Sequence, residues 1–241
     1  FKQKTAYEIG VRLVGSEMCI RDRYGPEGVR AIDNLVRRGV EARIAEDCVR
    51  IAQNLGIQAE VADLINGGNL ENPASLRNFL QKIAAEIANG QRGAMNELLE
   101  VVARARQGNR VSLGGRRINP ADPESGQADV VDHTAREAVQ MKTVTSASPD
   151  KVVSNLQAAV DQLGGSGKEI PPAGYQRTAD IRITNPDNPL FGADRAALLD
   201  ALRGRINNLG NLEPAGAPSG HVRITNGNGG SPFTFTADEL R

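Results

Sequence analysis

The sequence predicts an α/β fold: one mixed sheet with helices packed on it, preceded by helices and followed by a C-terminal β-hairpin. Three observations carry this. Apolar residues recur at three- and four-residue spacing from Val29 to Val49 and again from Leu76 to Ile87, the period of a helix with one buried face. Between Asn109 and Val144 the chain breaks into short extended runs bounded by turn residues,. A helical pattern then leads to another extended run, and a helix-linked return to a strand implies a mixed sheet with helices on it.

The elements follow in order. Residues 24–72 are expected to be a helical linker or pre-domain, with Gly56 and Gly67-Gly68 as stops,. Asn72 or Ser75 caps the next helix, whose stripe is Leu76, Phe79, Leu80, Ile83 and Ile87. Gly90 and Gly93 break it. Ala94–Gln107 is a second helix, stopped by Gly108. NRVSLGGRRINP predicts a hairpin around Gly114-Gly115. Ala128–Asp132 and Glu137–Val144 are strands. Ser148 as cap and Pro149 at the first position open a helix that ends at Gly164-Gly165. Arg177–Thr184 is a strand, and GADRAALLDALRGRI is an amphipathic helix. After the linker EPAGAPSG, HVRIT and PFTFT flank NGNGGS as a hairpin. IRITN at Ile181–Asn185 is echoed by VRITN at Val222–Asn226, which is too little for a repeat architecture. The expected division is 24–72, 73–212 and 213–241.

Residues 1–23 stand apart. Lys2–Glu8 and Gly15–Asp22 back-translate to strings that resemble short-read sequencing adapters, so the segment is expected to be a translated contaminant and is excluded from fold reasoning. On that expectation the natural start is missing. The remainder holds 24 basic and 26 acidic residues, a net charge of −2, and one cysteine, Cys48. A single cysteine forms no internal disulfide and no cysteine cluster for zinc. No apolar run reaches the ~18 residues of a membrane span. Aromatic residues make up 3 %, which argues against base-stacking platforms. Near-neutral charge argues against bulk polyanion binding and leaves room for a local basic cleft.

AVQMKTV (Ala138–Val144) poses the chemical question. Gln140 and Lys142 project from the same face of an otherwise apolar strand, and both are costly to bury without partners. Asp129, in the preceding strand, lies beside them if the two strands pair antiparallel. An acid next to a lysine and an amide oxygen outlines a site for a divalent cation that prefers oxygen ligands. A lysine there can orient or deprotonate a water and offset charge on a phosphate.

Asp129, then ten residues, then Gln140-Met141-Lys142, on the second and third strands after a glutamate-bearing helix, resembles the PD-(D/E)XK nuclease superfamily. The string from Gly126 to Val144 is similar to the restriction-endonuclease-fold toxin domains of bacterial polymorphic and contact-dependent inhibition toxins. The resemblance spans about residues 75–212 and implies an α-β-β-β-α-β core. It implies Mg²⁺- or Mn²⁺-dependent hydrolysis of phosphodiesters in DNA, or less so RNA. Asp129 is then the main metal ligand, Gln140 a weak ligand in place of the usual acid, Met141 a backbone ligand and Lys142 the activator of water. Glu97, or Glu100 one turn on, completes the set. The resemblance further implies secretion, delivery to a target-cell cytoplasm and a cognate immunity protein.

Other residues are weighed beside these. Asp132 faces away from Asp129 by parity and is expected to be structural, and His133 is expected at a surface strand end. Arg177, Arg182 and Lys151 could line a phosphate track or be solvated charges. GGSGKEI imitates a phosphate loop, but it follows a helix, and Glu169 stands where a hydroxyl would hold Mg²⁺. With only His133 and His221 present, a histidine zinc site is not expected. Two rival functions remain: a binding module of the same fold with a weakened site, and a structural segment of a large secreted protein.

Overall fold

The computed structural model describes residues 6–114, 128–164, 173–227 and 230–241, with side chains from residue 22 onward. Its first half is helical: α1 Ala6–Arg37, α2 Ala42–Asn54, α3 Gln58–Asn66, α4 Leu76–Ala88 and α5 Gly93–Arg106. Helix α1 is broken at Gly25 (φ 68°), followed by Pro26, a pair that both leaves the helical region and restarts it. Then come β1 Val111–Leu113, β2 Val130–Asp132, β3 Glu137–Val144, α6 Pro149–Leu163, β4 Gln176–Ile183, α7 Arg195–Leu202, β5 His221–Asn226, β6 Phe233–Thr236 and α8 Ala237–Leu240. No helix among the described residues is long and apolar enough to cross a membrane.

The strands form one mixed open sheet in the order β1-β2-β3-β4-β5-β6. The pairs β1–β2, β2–β3 and β5–β6 are antiparallel; β3–β4 and β4–β5 are parallel. The outer edge of β1 is partly covered by residues 69–71: Val111 N donates to Asn69 O, and Glu71 N to Val111 O, both at 2.8 Å.

The two faces of the sheet differ in chemistry. One face carries Ala138, Val144, Ala179, Ile181, Ile183, Val222, Ile224 and Phe235, packed with the apolar stripe of α6 (Val152, Leu156, Ala159, Val160, Leu163). On the other, Val111, Leu113, Val130, Val139 and Met141 join the core of α1 to α5. The same face of β4 and β5 is charged. Glu100 of α5 accepts from Arg104, Arg182 and Arg223, Arg104 reaches Asp132 and Glu137, and Arg223 reaches Asp180. This lattice fixes where α5 lies on the sheet, because each buried charge needs its partner.

Several expectations change. Residues 24–72, expected as a linker or pre-domain, share one core with β1, β2 and β3. The C-terminal hairpin is part of the sheet, β5 lying parallel to β4. The echoed segments 181–185 and 222–226 therefore come from neighbouring strands, offset by two residues in register. β1 pairs with β2; the second arm expected for a hairpin at Gly114-Gly115, 116–120, and most of GGSGKEI lie outside the described residues. Neither Ser75 nor Asn72 caps α4. Asn72 instead bonds both Leu113 O and Leu113 N, clamping β1 to the start of that helix. Ile87 is 42 % exposed, because α4 has passed the edge of its core by then. Helix α7 stops at Leu202, where Arg203 turns extended and Gly204 N donates to Leu240 O of α8.

Candidate functional site

Strand β2 pairs with β3 only from Val130↔Val139 to Asp132↔Glu137, whereas β3 runs on to Val144. Beyond Val139, the β2-facing edge of β3 needs other acceptors, since an unpaired buried N–H costs about as much as a lost hydrogen bond. Asp129, just before β2, supplies one. Its Oδ2 accepts from Met141 N at 2.8 Å and from Gln140 Nε2 at 2.6 Å. The amide that looked out of place in an apolar strand is thus 2 % exposed and holds the carboxylate where the two strands split.

Gly114 makes this approach possible. Its N–H donates to Asp129 O at 2.8 Å. A Cβ there would lie 2.2 Å from Ala128 O and 2.5 Å from Asp129 Cα, both backbone atoms that cannot swing aside,.

Asp129, Gln140, Met141, Lys142 and Glu97 line one cleft of about 770 Å³. Glu97 projects from α5, which Glu86 anchors by accepting from Ala94 N at 2.7 Å, satisfying one of the free amides of the first turn,. Asn96 Nδ2 donates to Thr143 Oγ1 at 3.0 Å and ties the same helix to β3. Glu97 itself is 6 % exposed. Both its oxygens accept from Lys82 Nζ of α4, at 3.1 and 3.0 Å. Lys82 also lies 4.0 Å from Glu86 and 5.4 Å from the Phe79 ring centroid.

The electrostatics follow from burial and crowding of like charge. Burial and the nearby Asp129 charge push the Glu97 carboxyl up to about 7, with Lys82 pulling the other way. Burial also raises Asp129, against Lys142, the Met141 amide, Lys82 and Gln140. For Lys82, burial works against the ammonium, but Glu97, Asp129 and Glu86 outweigh it, and its pKa is raised. Lys142, half-exposed, has no hydrogen-bond or ion-pair partner among the described residues; its ammonium is free to meet a ligand.

The oxygen donors among the candidate residues are the Asp129 and Glu97 carboxylates, the Gln140 amide and the Met141 carbonyl, and Glu86 lines the same cleft. That set suits Mg²⁺ or Mn²⁺, which use few protein oxygens and keep waters or substrate oxygens in the remaining positions. Among the described residues no group of three or more His, Cys, Asp or Glu could hold a metal, so neutral oxygens would have to complete any site here. Gln140 presents its nitrogen to Asp129.

The remaining candidates lie elsewhere. Glu100 is taken up by Arg104, Arg182 and Arg223 beneath α5 and does not line the cleft. Arg182 is thereby paired on the α5 face of the sheet, and Arg177 Nη1 donates to Asn211 O; neither lines the cleft. Lys151 is exposed on α6, also outside it. Asp132 is fully buried and accepts from Arg104, Asn109, and the Thr134 and Ala135 amides. His133 is not a loose surface group: its ring bonds Ser112 Oγ at 2.7 Å and Tyr175 OH at 3.1 Å. Sequence reasoning missed Lys82. Its place between apolar Leu80 and Ile83 reads as an ordinary solvated helix position, and only the fold brings it to Glu97.

No family model, curated protein or solved structure matches the chain.

Proposed function

We propose that the chain is a metal-dependent nuclease of restriction-endonuclease type that hydrolyses phosphodiester bonds, in DNA before RNA. The observation that carries this is the convergence of Asp129, just before β2, Gln140, Met141 and Lys142 of β3 and Glu97 of α5 on one cleft. The element order α5-β1-β2-β3-α6-β4 supports it, being the α-β-β-β-α-β order that the resemblance implies. Among the described residues no aromatic side chain lines the cleft, which suits recognition of a phosphate backbone rather than stacked bases.

In this reading Asp129, Glu97, the Gln140 amide oxygen and the Met141 carbonyl would hold Mg²⁺ or Mn²⁺. The cation, when bound, supplies Lewis-acid charge to the phosphate and lowers the pKa of water. Lys142, without a hydrogen-bond or ion-pair partner among the described residues, binds a phosphate oxygen, orients the attacking water and offsets the charge that builds up in the transition state. A water oxygen bonds to phosphorus as the ester P–O bond breaks, and the leaving oxygen takes up a proton. The toxin context and a cognate immunity protein belong to the same proposal.

A second reading, a module that binds nucleic acid without cutting it, is favoured by one feature. The Gln140 amide nitrogen satisfies Asp129 without any cation. The test is incubation of the chain and its Lys142→Ala variant with plasmid DNA and with total RNA, with Mg²⁺ or with EDTA. The nuclease reading expects metal-dependent degradation by the parent and at least a hundredfold loss in the variant, within the range usual for removing a transition-state donor. Binding without cleavage would replace it with the second reading; neither binding nor cleavage would sink both.

A further inference from the structure

We propose that Lys82 is the resident counter-cation of this cleft, holding Glu97 until a divalent cation displaces it, so that lysine and metal compete for the same carboxylate. The inference rests on the metal reading of the site and adds a regulatory part to it. Lys82 is the one ammonium that grips a cleft carboxylate in the described structure: both Glu97 oxygens accept from it, and Glu86 lies 4.0 Å away. Both oxygens of a carboxylate engaged by one ammonium leave that group poorly placed to coordinate a metal.

The same side chain is built to leave. Glu97 is nearly buried, but the Lys82 side chain is 41 % exposed, and its four-carbon stem carries a compact, hydrated charge that rotates easily. Lys82 stands on α4, whereas Lys142 comes from β3. Once released from Glu97, the Lys82 ammonium would join Lys142 and Arg92 as a cation of the cleft lining, placed to meet a substrate phosphate. Cation uptake then swaps one positive partner of Glu97 for another and frees the first for the nucleic-acid backbone. The exchange also protects the fold, because an acid this buried is never left without a cation beside it.

The test is Mn²⁺ titration of the full chain, followed by the loss of the free-ion EPR signal, for the parent, Lys82→Met, Lys82→Arg and Asp129→Asn. Lys82→Met should bind Mn²⁺ about tenfold more tightly than the parent, equivalent to about 1.4 kcal/mol. Lys82→Arg, which keeps the charge on Glu97, should stay within about twofold of the parent, and Asp129→Asn should lose binding. Parent binding with Lys82→Met equal or weaker overturns the competition and leaves the metal reading standing. No binding by any of the four overturns both. An independent readout on the parent alone is acetylation of Lys82 by acetic anhydride, measured by peptide mass spectrometry. Mn²⁺ should raise its labelling severalfold, and unchanged labelling refutes displacement even if the methionine variant fails to fold.

Discussion

Replacing Glu97 by glutamine isolates one of the two carboxyls whose pKa the cleft raises. Its pKa lies at about 7 against an ordinary 4.5, through burial and the charge of Asp129. At about 1.4 kcal/mol for each pH unit, that difference corresponds to roughly 3 kcal/mol of stability. The sign follows from which state holds the proton more tightly. Below pH 4.5 the residue is protonated in both states and the contribution is complete. As pH rises towards 7 the unfolded chain ionises first, the folded state is penalised, and above 7 the contribution is gone. Urea denaturation followed by circular dichroism, in EDTA, measures this directly. Between pH 5 and pH 8 the parent should lose about 2–3 kcal/mol more than Glu97→Gln does, because glutamine keeps the shape and a hydrogen bond but carries no proton to lose. Parallel stability curves for the two proteins would refute the placement of Glu97 against Asp129 in a dry cleft. An excess of the opposite sign would mean that Lys82, not Asp129, dominates the site.

Two further perturbations bear on how the fold positions this cleft. Glu100→Gln removes the acceptor shared by Arg104, Arg182 and Arg223 and should destabilise the protein by about 3–5 kcal/mol, as breaking a buried charge network does; thermal or urea unfolding at pH 7 checks it, and a loss under 1 kcal/mol contradicts the burial of that network. Gly114→Ala drives a methyl into the backbone of Ala128 and Asp129 and should cost about 1–3 kcal/mol, with Mn²⁺ affinity falling as Asp129 shifts; an unchanged affinity and stability would show that β1 does not press on Asp129.

Much of the fold was legible because its local signals agree with its long-range packing. β3 and α6 form over Glu137–Val144 and Pro149–Leu163 as their period and flanking residues require. Pro149 at the first helical position and Gly164 after the last apolar residue bound α6, and alternation in β3 places Ala138, Gln140 and Lys142 on one face. What stayed illegible is what only tertiary contact decides. The parallel pairing of β5 with β4 joins Thr178 to His221, and no local pattern encodes it. Asn72 has the chemistry of a helix cap, yet the nearby β1 backbone offers it two bonds at once. One omission was readable: Thr236 and Glu239 form a capping box that starts α8, and threonine followed three residues later by glutamate is its sequence signature.

The choice between Glu97 and Glu100 shows where sequence reasoning about the site ends. Both are glutamates on the same helix, three residues apart, so they point into neighbouring sectors of its surface. Nothing in the spacing prefers either. The fold gives them opposite surroundings. Glu97 turns to Asp129 and a single lysine, and its pKa rises; Glu100 turns to three arginines. Burial raises the Glu100 carboxyl too, but Arg223 and Arg104 outweigh it and its pKa is lowered. The consequences for stability therefore run in opposite directions. Glu97 stabilises the fold while protonated and loses that contribution as pH rises through about 7. Glu100 stabilises it while ionised, above its ordinary 4.5, and loses that contribution as pH falls through its lowered value. A residue that pins the helix must be ionised under all working conditions, which three arginines ensure. On the proposed exchange Glu97 must be held less firmly, and its partner there is a partly exposed lysine. The two glutamates thus divide holding and binding between adjacent turns of α5, and pH titration of stability in the two glutamine variants should move in opposite senses if that division is real.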